Sequence, residues 1–281
     1  MKGEDFLKQP QIQQNQTETT AAPLSELAPD SVFIRFFSEV ASITKFALRF
    51  FKEVLKPPYE FRELLKQSFQ IGYKSLPLVV ITGFIIGLVL TVQSRPTLAK
   101  FGAASLLPAM VAISIIREIG PVITALIFAG KVGSGIGAEL ASMNVTQQID
   151  AMQVSGTNPF KYLVVTRVLA ATLMLPILAV FADAVGLVGS FVGVNLKGHV
   201  SDHLFFLQVF QSLEYKDVLP AFIKTFFFGF AVGLIGCHKG YHSNTGTEGV
   251  GKAANSAVVL SSLLVFMIDM IAVQITSLLQ F

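Results

Sequence analysis

Residues Val168–Leu196 read VLAATLMLPILAVFADAVGLVGSFVGVNL, an apolar run interrupted by a single charge, Asp183. A helix needs about 20 such residues to cross the hydrocarbon core of a bilayer. Four more runs share this character. Ser75–Ser94 holds no charge, and Phe101–Gly130 holds only Arg117-Glu118. Val218–His238 carries only Lys224, and Ala253–Phe281 only Asp269. Lipid offers no partner to backbone N–H and C=O groups, so spanning segments of this length must be helices. The reading is an all-α integral membrane protein with five transmembrane helices. Composition agrees: 52% of the 281 residues are hydrophobic and 14% charged, against about 25% charged in a soluble domain. The net charge of +3 is too small for a nucleic-acid partner. One cysteine, Cys237, excludes an intrachain disulfide and a thiolate metal cluster. Trp is absent, so an aromatic belt would rest on Phe and Tyr.

Working outward, residues 1–30 are polar, with a Gln/Thr-rich tract and two basic against five acidic residues. Such a segment buries too little apolar area to fold, and a disordered tail is expected. It has neither the apolar core of a signal peptide nor the Arg-rich character of a transit peptide. Over 31–56 the polar residues Arg35, Glu39, Ser42, Lys45, Arg49, Lys52 and Lys56 recur every three or four positions, one stripe of a helix. Phe36, Phe46 and Phe50 stand out among the apolar residues between them. A basic amphipathic helix with an aromatic face suits the membrane interface. Arg35, Phe36, Lys45, Phe46, Arg49, Phe50 and Lys52 are therefore expected at the membrane surface. Pro57-Pro58 ends this helix, and a second short amphipathic piece is expected over Tyr59–Lys74. The layout is a tail (1–30), interfacial helices (31–74) and a transmembrane domain (75–281). Residues 31–74 hold eight Lys or Arg, against Arg95 and Lys100 in the next loop. This bias places the N-terminus in the cytoplasm and, after five spans, the C-terminus outside.

Gly83/Gly87, Gly189/Gly193 and Gly229/Gly233 have the spacing that lets helix backbones approach closely in lipid, in a tight bundle or a dimer. Gly246–Lys252 fits most of a nucleotide-binding glycine loop. Ala253 stands where Ser or Thr should hold Mg²⁺, and no strand precedes it, so ATP chemistry would belong to another chain. His199/His203 and Cys237/His238/His242 are possible metal pairs on opposite sides of the membrane, each too small for a closed site. With no catalytic set and no cofactor signature, an enzyme is not expected.

Arg117-Glu118 is different. Opposite charges near mid-membrane must face a partner or a wet cavity: they line a substrate path, or they form a buried pair that only fixes packing. Gly120-Pro121 loosens the helix beside them. Asp183 and Asp269 are weaker cases. The loop Lys131–Lys161 suggests a short amphipathic helix from Ala138 to Val154, ending at the Asn158-Pro159 turn. Such a helix between two spans is a lever that can dock into a groove on a soluble partner.

The stretch IREIGPVITALIFAGKVGSGIGAELASMNVTQQIDAMQVSGTNP, Ile116–Pro159, resembles the MlaE-type permeases of lipid-trafficking ABC transporters. Arg117–Val122 matches the family's Arg-Glu-Leu/Ile-Gly-Pro-Val element. Ala138, Glu139, Met143, Thr146, Gln148, Ile149, Asp150 and Ala151 match its coupling region, and Asp150–Gly156 also resembles the ATPase-contacting loop of ABC importers. The resemblance covers roughly residues 35–281 and leaves 1–30 unexplained. It implies a homodimeric inner-membrane core and a cytoplasmic ABC ATPase on each coupling helix. It also implies an outer MCE-domain protein, room for a small cytoplasmic accessory subunit, and phospholipid as substrate moved between inner and outer membranes. The rival reading is an ion-coupled secondary transporter using Arg117, Glu118, Asp183 and Asp269. Such folds usually carry internal repeats, and no repeat is evident here.

Overall fold

The computed structural model describes residues 29–57, 59–196, 200–243 and 246–279. Of the tail 1–30 expected to be disordered, residues 1–28 lie outside them, as does the His199 half of one histidine pair, while Pro29 and Asp30 already belong to a helix. Among the described residues the chain is helical, with no strand. Five helical segments among the described residues are long and apolar enough to span a membrane: Phe61–Lys100, Ala104–Val145, Phe160–Asn195, Tyr215–Tyr241 and Thr247–Leu278.

The chain divides into two units between Thr44 and Lys45. Helix α1 (Pro29–Val54) runs across this boundary. In its first part Phe33, Ile34, Phe36 and Phe37 are exposed, and the rings of Phe36 and Phe37 meet edge to face. In the second unit Phe46 and Phe50 are not lipid-facing as expected; they are 5% and 3% exposed. Phe46 packs against Phe160, His238 and Tyr241, and Phe50 against Phe230. Arg49 lies over the Phe160 ring, 4.2 Å from its centre. The aromatic face found protein rather than lipid because Phe160 and Phe230 offer rings at contact distance, and edge-to-face ring pairs stabilise such packing.

Helix α2 (Phe61–Lys100) corrects a second expectation. The amphipathic piece and the first span form one 40-residue helix, without a break at Lys74 or Pro77. The reason lies in its buried stripe: Glu63, Gln67, Ile71, Ser75, Val79, Gly83, Gly87 and Thr91 repeat every four residues, a ridge that winds slowly around the helix. That ridge packs on α7 (Thr166–Asn195). At Gly87 a Cβ would lie 1.8 Å from the Gly186 carbonyl oxygen, and at Gly189 2.2 Å from that of Phe84. Thr91 donates its hydroxyl hydrogen bond to Ser190 at 2.7 Å, and Arg95 reaches the Val194 carbonyl at 2.7 Å.

The second span is built from α3 (Leu107–Ser114), α4 (Gly120–Phe128) and α5 (Ser134–Val145), joined by two wide π-turns, Ile115–Ile119 and Ala129–Gly133. Pro121 has no N–H for the Arg117 carbonyl, and the Gly120 N–H reaches back five residues to Ile115. Helix α9 (Tyr215–Tyr241) lies between α7 and α5: Gly229 meets Ala171, while Gly236 and Gly240 meet the Gly133 and Gly137 carbonyls. The glycine pairs singled out in the sequence thus serve contacts within this chain. Helix α10 (Thr247–Leu279) closes the bundle against α9 and α5. Gly246, at φ +119°, precedes α10, and Gly249–Lys252 is helix rather than loop. A short helix α8 (Asp202–Ser212) buries Phe205 and Val209 against Leu107, Val111 and Ile115.

Many apolar side chains on the span exteriors are exposed, among them Ile81, Ile85, Ile177, Val180, Leu263 and Phe266. In water such surface would drive association; on five spanning helices it is the surface that meets lipid.

Candidate functional site

Two charged clusters stand out, one at each end of the bundle. The first gathers around the π-turn of the second span. Arg117 and Glu118 do not pair with each other. Arg117 Nη1 lies 3.5 Å from Asp217 Oδ1, and Glu118 Oε2 accepts a hydrogen bond from Lys224 Nζ at 2.6 Å. Lys224 also donates to Asp269 Oδ1 at 2.8 Å. Lys224 is 5% exposed and holds a carboxylate from each of two other helical segments. The turn matters for this geometry. Arg117 and Glu118 are adjacent in sequence, yet each meets a different residue of α9. Asp217 belongs to the capping box that starts α9 with Glu214. Asp183 packs against Gly120, where a Cβ would lie 1.7 Å from its Oδ1. That oxygen has no hydrogen-bond partner among the described residues.

Beside this cluster, between α9 and α10, lies a cavity of about 540 Å³. Leu219, Ile223, Phe227 and Ile275 make its walls, and Lys216 and Lys224 supply charge. A mostly apolar space with a few polar groups is the usual form of a small-molecule site.

The second cluster lies at the other end. Glu139, the acid expected at a partner's groove, accepts a hydrogen bond from Arg167 Nη2 at 2.8 Å. Arg167 is 3% exposed and also donates to the Leu163 carbonyl. The expected coupling helix Ala138–Val154 is two pieces. Ala138, Glu139 and Met143 belong to α5, the end of the second span. Thr146 turns back to hydrogen-bond the Ser142 carbonyl, Gln147 takes a left-handed conformation at φ 57°, and α6 (Gln148–Val154) starts anew. The break follows from local competition: a Thr hydroxyl and an Asn-Val-Thr run favour leaving the helix, and Asn144 is held by the Ser243 carbonyl at 2.9 Å. Thr146, Gln148 and Asp150 are exposed, while Ile149 is buried and anchors α6. Gly156, at φ 80°, and Asn158, whose Oδ1 accepts from the Lys161 N–H, form the exit turn.

Sequence reading singled out Arg117, Glu118, Asp183 and Asp269 but not their partners. Lys224 was visible as a lone cation in an apolar run, which is the signal that could have found it. Arg167 escaped because it sits one residue before the expected third span. Cys237 is buried on α9, and the rings of His238 and His242 lie 4.8 Å apart, tilted by 38°, near Phe46. Among the described residues no three His, Cys, Asp or Glu side chains converge on a metal position.

The model of the Permease MlaE family matches residues 64–275. The chain is 38% identical over 232 residues to a probable ABC transporter permease protein of Rickettsia typhi, covering 83% of this chain and 90% of that one. It is 35% identical over 216 residues to a probable ABC transporter permease protein of Synechocystis, covering 77% and 82%. It is 36% identical over 213 residues to the intermembrane phospholipid transport system permease protein MlaE of Haemophilus influenzae, covering 75% and 81%. The matched stretch takes in both charged clusters, the cavity and nearly all of the five spans. This chain belongs to the MlaE permease family and is the integral membrane permease subunit of an ABC transporter.

Proposed function

We propose that the chain moves phospholipid between the inner and outer membranes, with ATP hydrolysed by a partner subunit. The observation that carries this reading is the 540 Å³ apolar cavity ending on Lys216 and Lys224, beside the cluster of Arg117 and Glu118. Acyl chains suit its walls, and an anionic phosphate suits Lys216, since Lys224 is already engaged by Glu118 and Asp269. The name of the Haemophilus relative supports it. Two copies of the chain would form the core in the inner membrane. The N-terminus would be cytoplasmic and the C-terminus periplasmic, in keeping with the basic bias of residues 31–74. An MCE-domain protein would meet the outer end. The first part of α1, with exposed Phe36 and basic Arg35, would lie in the membrane interface, and Lys45, Arg49 and Lys52 would continue its polar stripe.

The test is photo-crosslinking. Groups placed at Phe227 and at positions 117 and 118 should give phospholipid adducts in membranes. Strong adducts elsewhere with none at these three positions would remove the lipid path from this cavity.

The coupling surface is proposed to be the exposed face of α6 and its lead-in, Thr146, Gln148 and Asp150. Ile149 fixes this piece, and Ala138, Glu139 and Met143 support it from α5. Asp150→Lys should lower co-purification of the ATPase at least tenfold while the permease elutes normally, since truncating or reversing a buried charge contact costs about 2–5 kcal/mol. Undiminished co-purification would remove Asp150 from the contact.

A further inference from the structure

A cleft of about 220 Å³ lies between α2 and α5, at the end of the bundle that carries α6. Gln67, Gln70, Lys74, Ser75, Lys131 and Glu139 line it, over a floor that includes Val132 and Ile136. Its position along the span is set by sequence: Ser75 begins the charge-free run on α2, and Lys131 follows the apolar run that ends at Gly130. The cleft therefore sits where hydrocarbon gives way to headgroups.

Its charge is positive. The Glu139 carboxylate is engaged by Arg167, which leaves Lys74 and Lys131 uncompensated within the cleft lining. The Lys131 ammonium donates to the Lys74 carbonyl, which holds it across the cleft and leaves it further protons to donate. Ser75 is 2% exposed, and its Oγ has no hydrogen-bond partner among the described residues. Other span hydroxyls, those of Thr82, Thr166 and Thr172, hydrogen-bond the carbonyl four residues back. Ser75 does not, although a buried hydroxyl left unpaired is costly. A donor hydroxyl and two ammonium groups facing one space call for an anion with several acceptor oxygens.

The flank of the cleft argues for an amphiphile. Leu78, Ile81 and Ile85 follow Lys74 on the same face of α2, at helical steps of four, three and four residues. All three are exposed. They form an apolar ridge that starts at the cleft and runs toward mid-membrane. We propose that the cleft binds the phosphate of an anionic phospholipid from the leaflet on the α6 side, with its acyl chains along Leu78, Ile81 and Ile85. This lipid bridges α2 to the arm that carries α6. It occupies the opposite end of the bundle from the 540 Å³ cavity, and the proposal holds whichever solute that cavity carries.

The experiment is native mass spectrometry of the full-length permease in detergent, titrated separately with phosphatidylglycerol, phosphatidylcholine and inorganic phosphate. One phosphatidylglycerol per chain should be retained in preference to phosphatidylcholine, and millimolar phosphate should not displace it. Lys74→Gln with Lys131→Gln should weaken retention about 30-fold, since each basic residue beside an anionic headgroup contributes roughly fivefold. Lys74→Arg with Lys131→Arg should keep it. Ser75→Ala, a smaller change that leaves the lysines in place, should weaken it about fivefold, and it carries the test if the double glutamine variant fails to fold. Equal retention of both lipids, or unchanged retention in Ser75→Ala and in each folded glutamine variant, overturns the proposal. Displacement by inorganic phosphate assigns the cleft to a free anion and overturns the lipid.

Discussion

Lys224→Met will lose about 3–5 kcal/mol of stability, because it leaves Glu118 and Asp269 facing each other without the cation that holds them. Lys224 is almost fully buried and binds both carboxylates at hydrogen-bond distance. Among the described residues no other side chain bridges the two. Their mutual repulsion falls in a low-dielectric region, where it is poorly screened. The measurement is a thermal melt in detergent, followed by size-exclusion of the surviving folded protein. Neutralising all three, with Glu118→Gln and Asp269→Asn added to Lys224→Met, should restore most of the loss, as isosteric replacement of buried ion groups often does. A Lys224→Met protein that melts like wild type would show that the triad contributes nothing to the bundle. A rescued triple variant that no longer yields lipid adducts at position 227 would separate the cluster's proposed part in a lipid path from its part in packing.

Gly87→Ala will be the most damaging of the single-methyl changes along the α2–α7 contact. The added carbon would sit 1.8 Å from the Gly186 carbonyl oxygen and 2.7 Å from its carbon. These are backbone atoms of a packed helix, so no side chain can swing aside. The helices must separate, and the neighbouring contacts at Gly83, Gly189 and the Thr91–Ser190 hydrogen bond separate with them. Overpacking of this kind costs about 1–3 kcal/mol or more, and the yield of folded protein should fall accordingly. Gly251→Ala is the control: it lies within α10 with nothing within 4 Å of its Cβ position. That change should leave stability unaltered or raise it by up to about 1 kcal/mol, the helix preference of Ala over Gly. Equal behaviour of the two variants would mean that α2 and α7 do not depend on this approach.

The sequence by itself determined the architecture, because its cause is local. Each span is a run of apolar residues about as long as a bilayer is thick, and lipid permits only helices there. The five runs could be read directly, and the residue order from Ala138 to Ala151 carried part of the family resemblance. Span ends were harder to read. The second span continues to Val145 and the third begins at Phe160, beyond the apolar stretches that announced them, because buried contacts with α9 and α2 extend the helices past the hydrocarbon. Tertiary structure alone decided the partners. Glu118 meets Lys224 across 106 residues, Lys224 meets Asp269 across 45, and Glu139 meets Arg167 across 28. Sequence shows which charges lie in the membrane, and their cost in lipid requires that they be paired. It does not show which helix faces will touch, since that depends on how the glycine faces of α2, α7 and α9 interlock. Phe46 and Phe50 illustrate the same limit: an aromatic face suits lipid and protein equally well, and only the presence of Phe160 and Phe230 opposite them made it a protein contact.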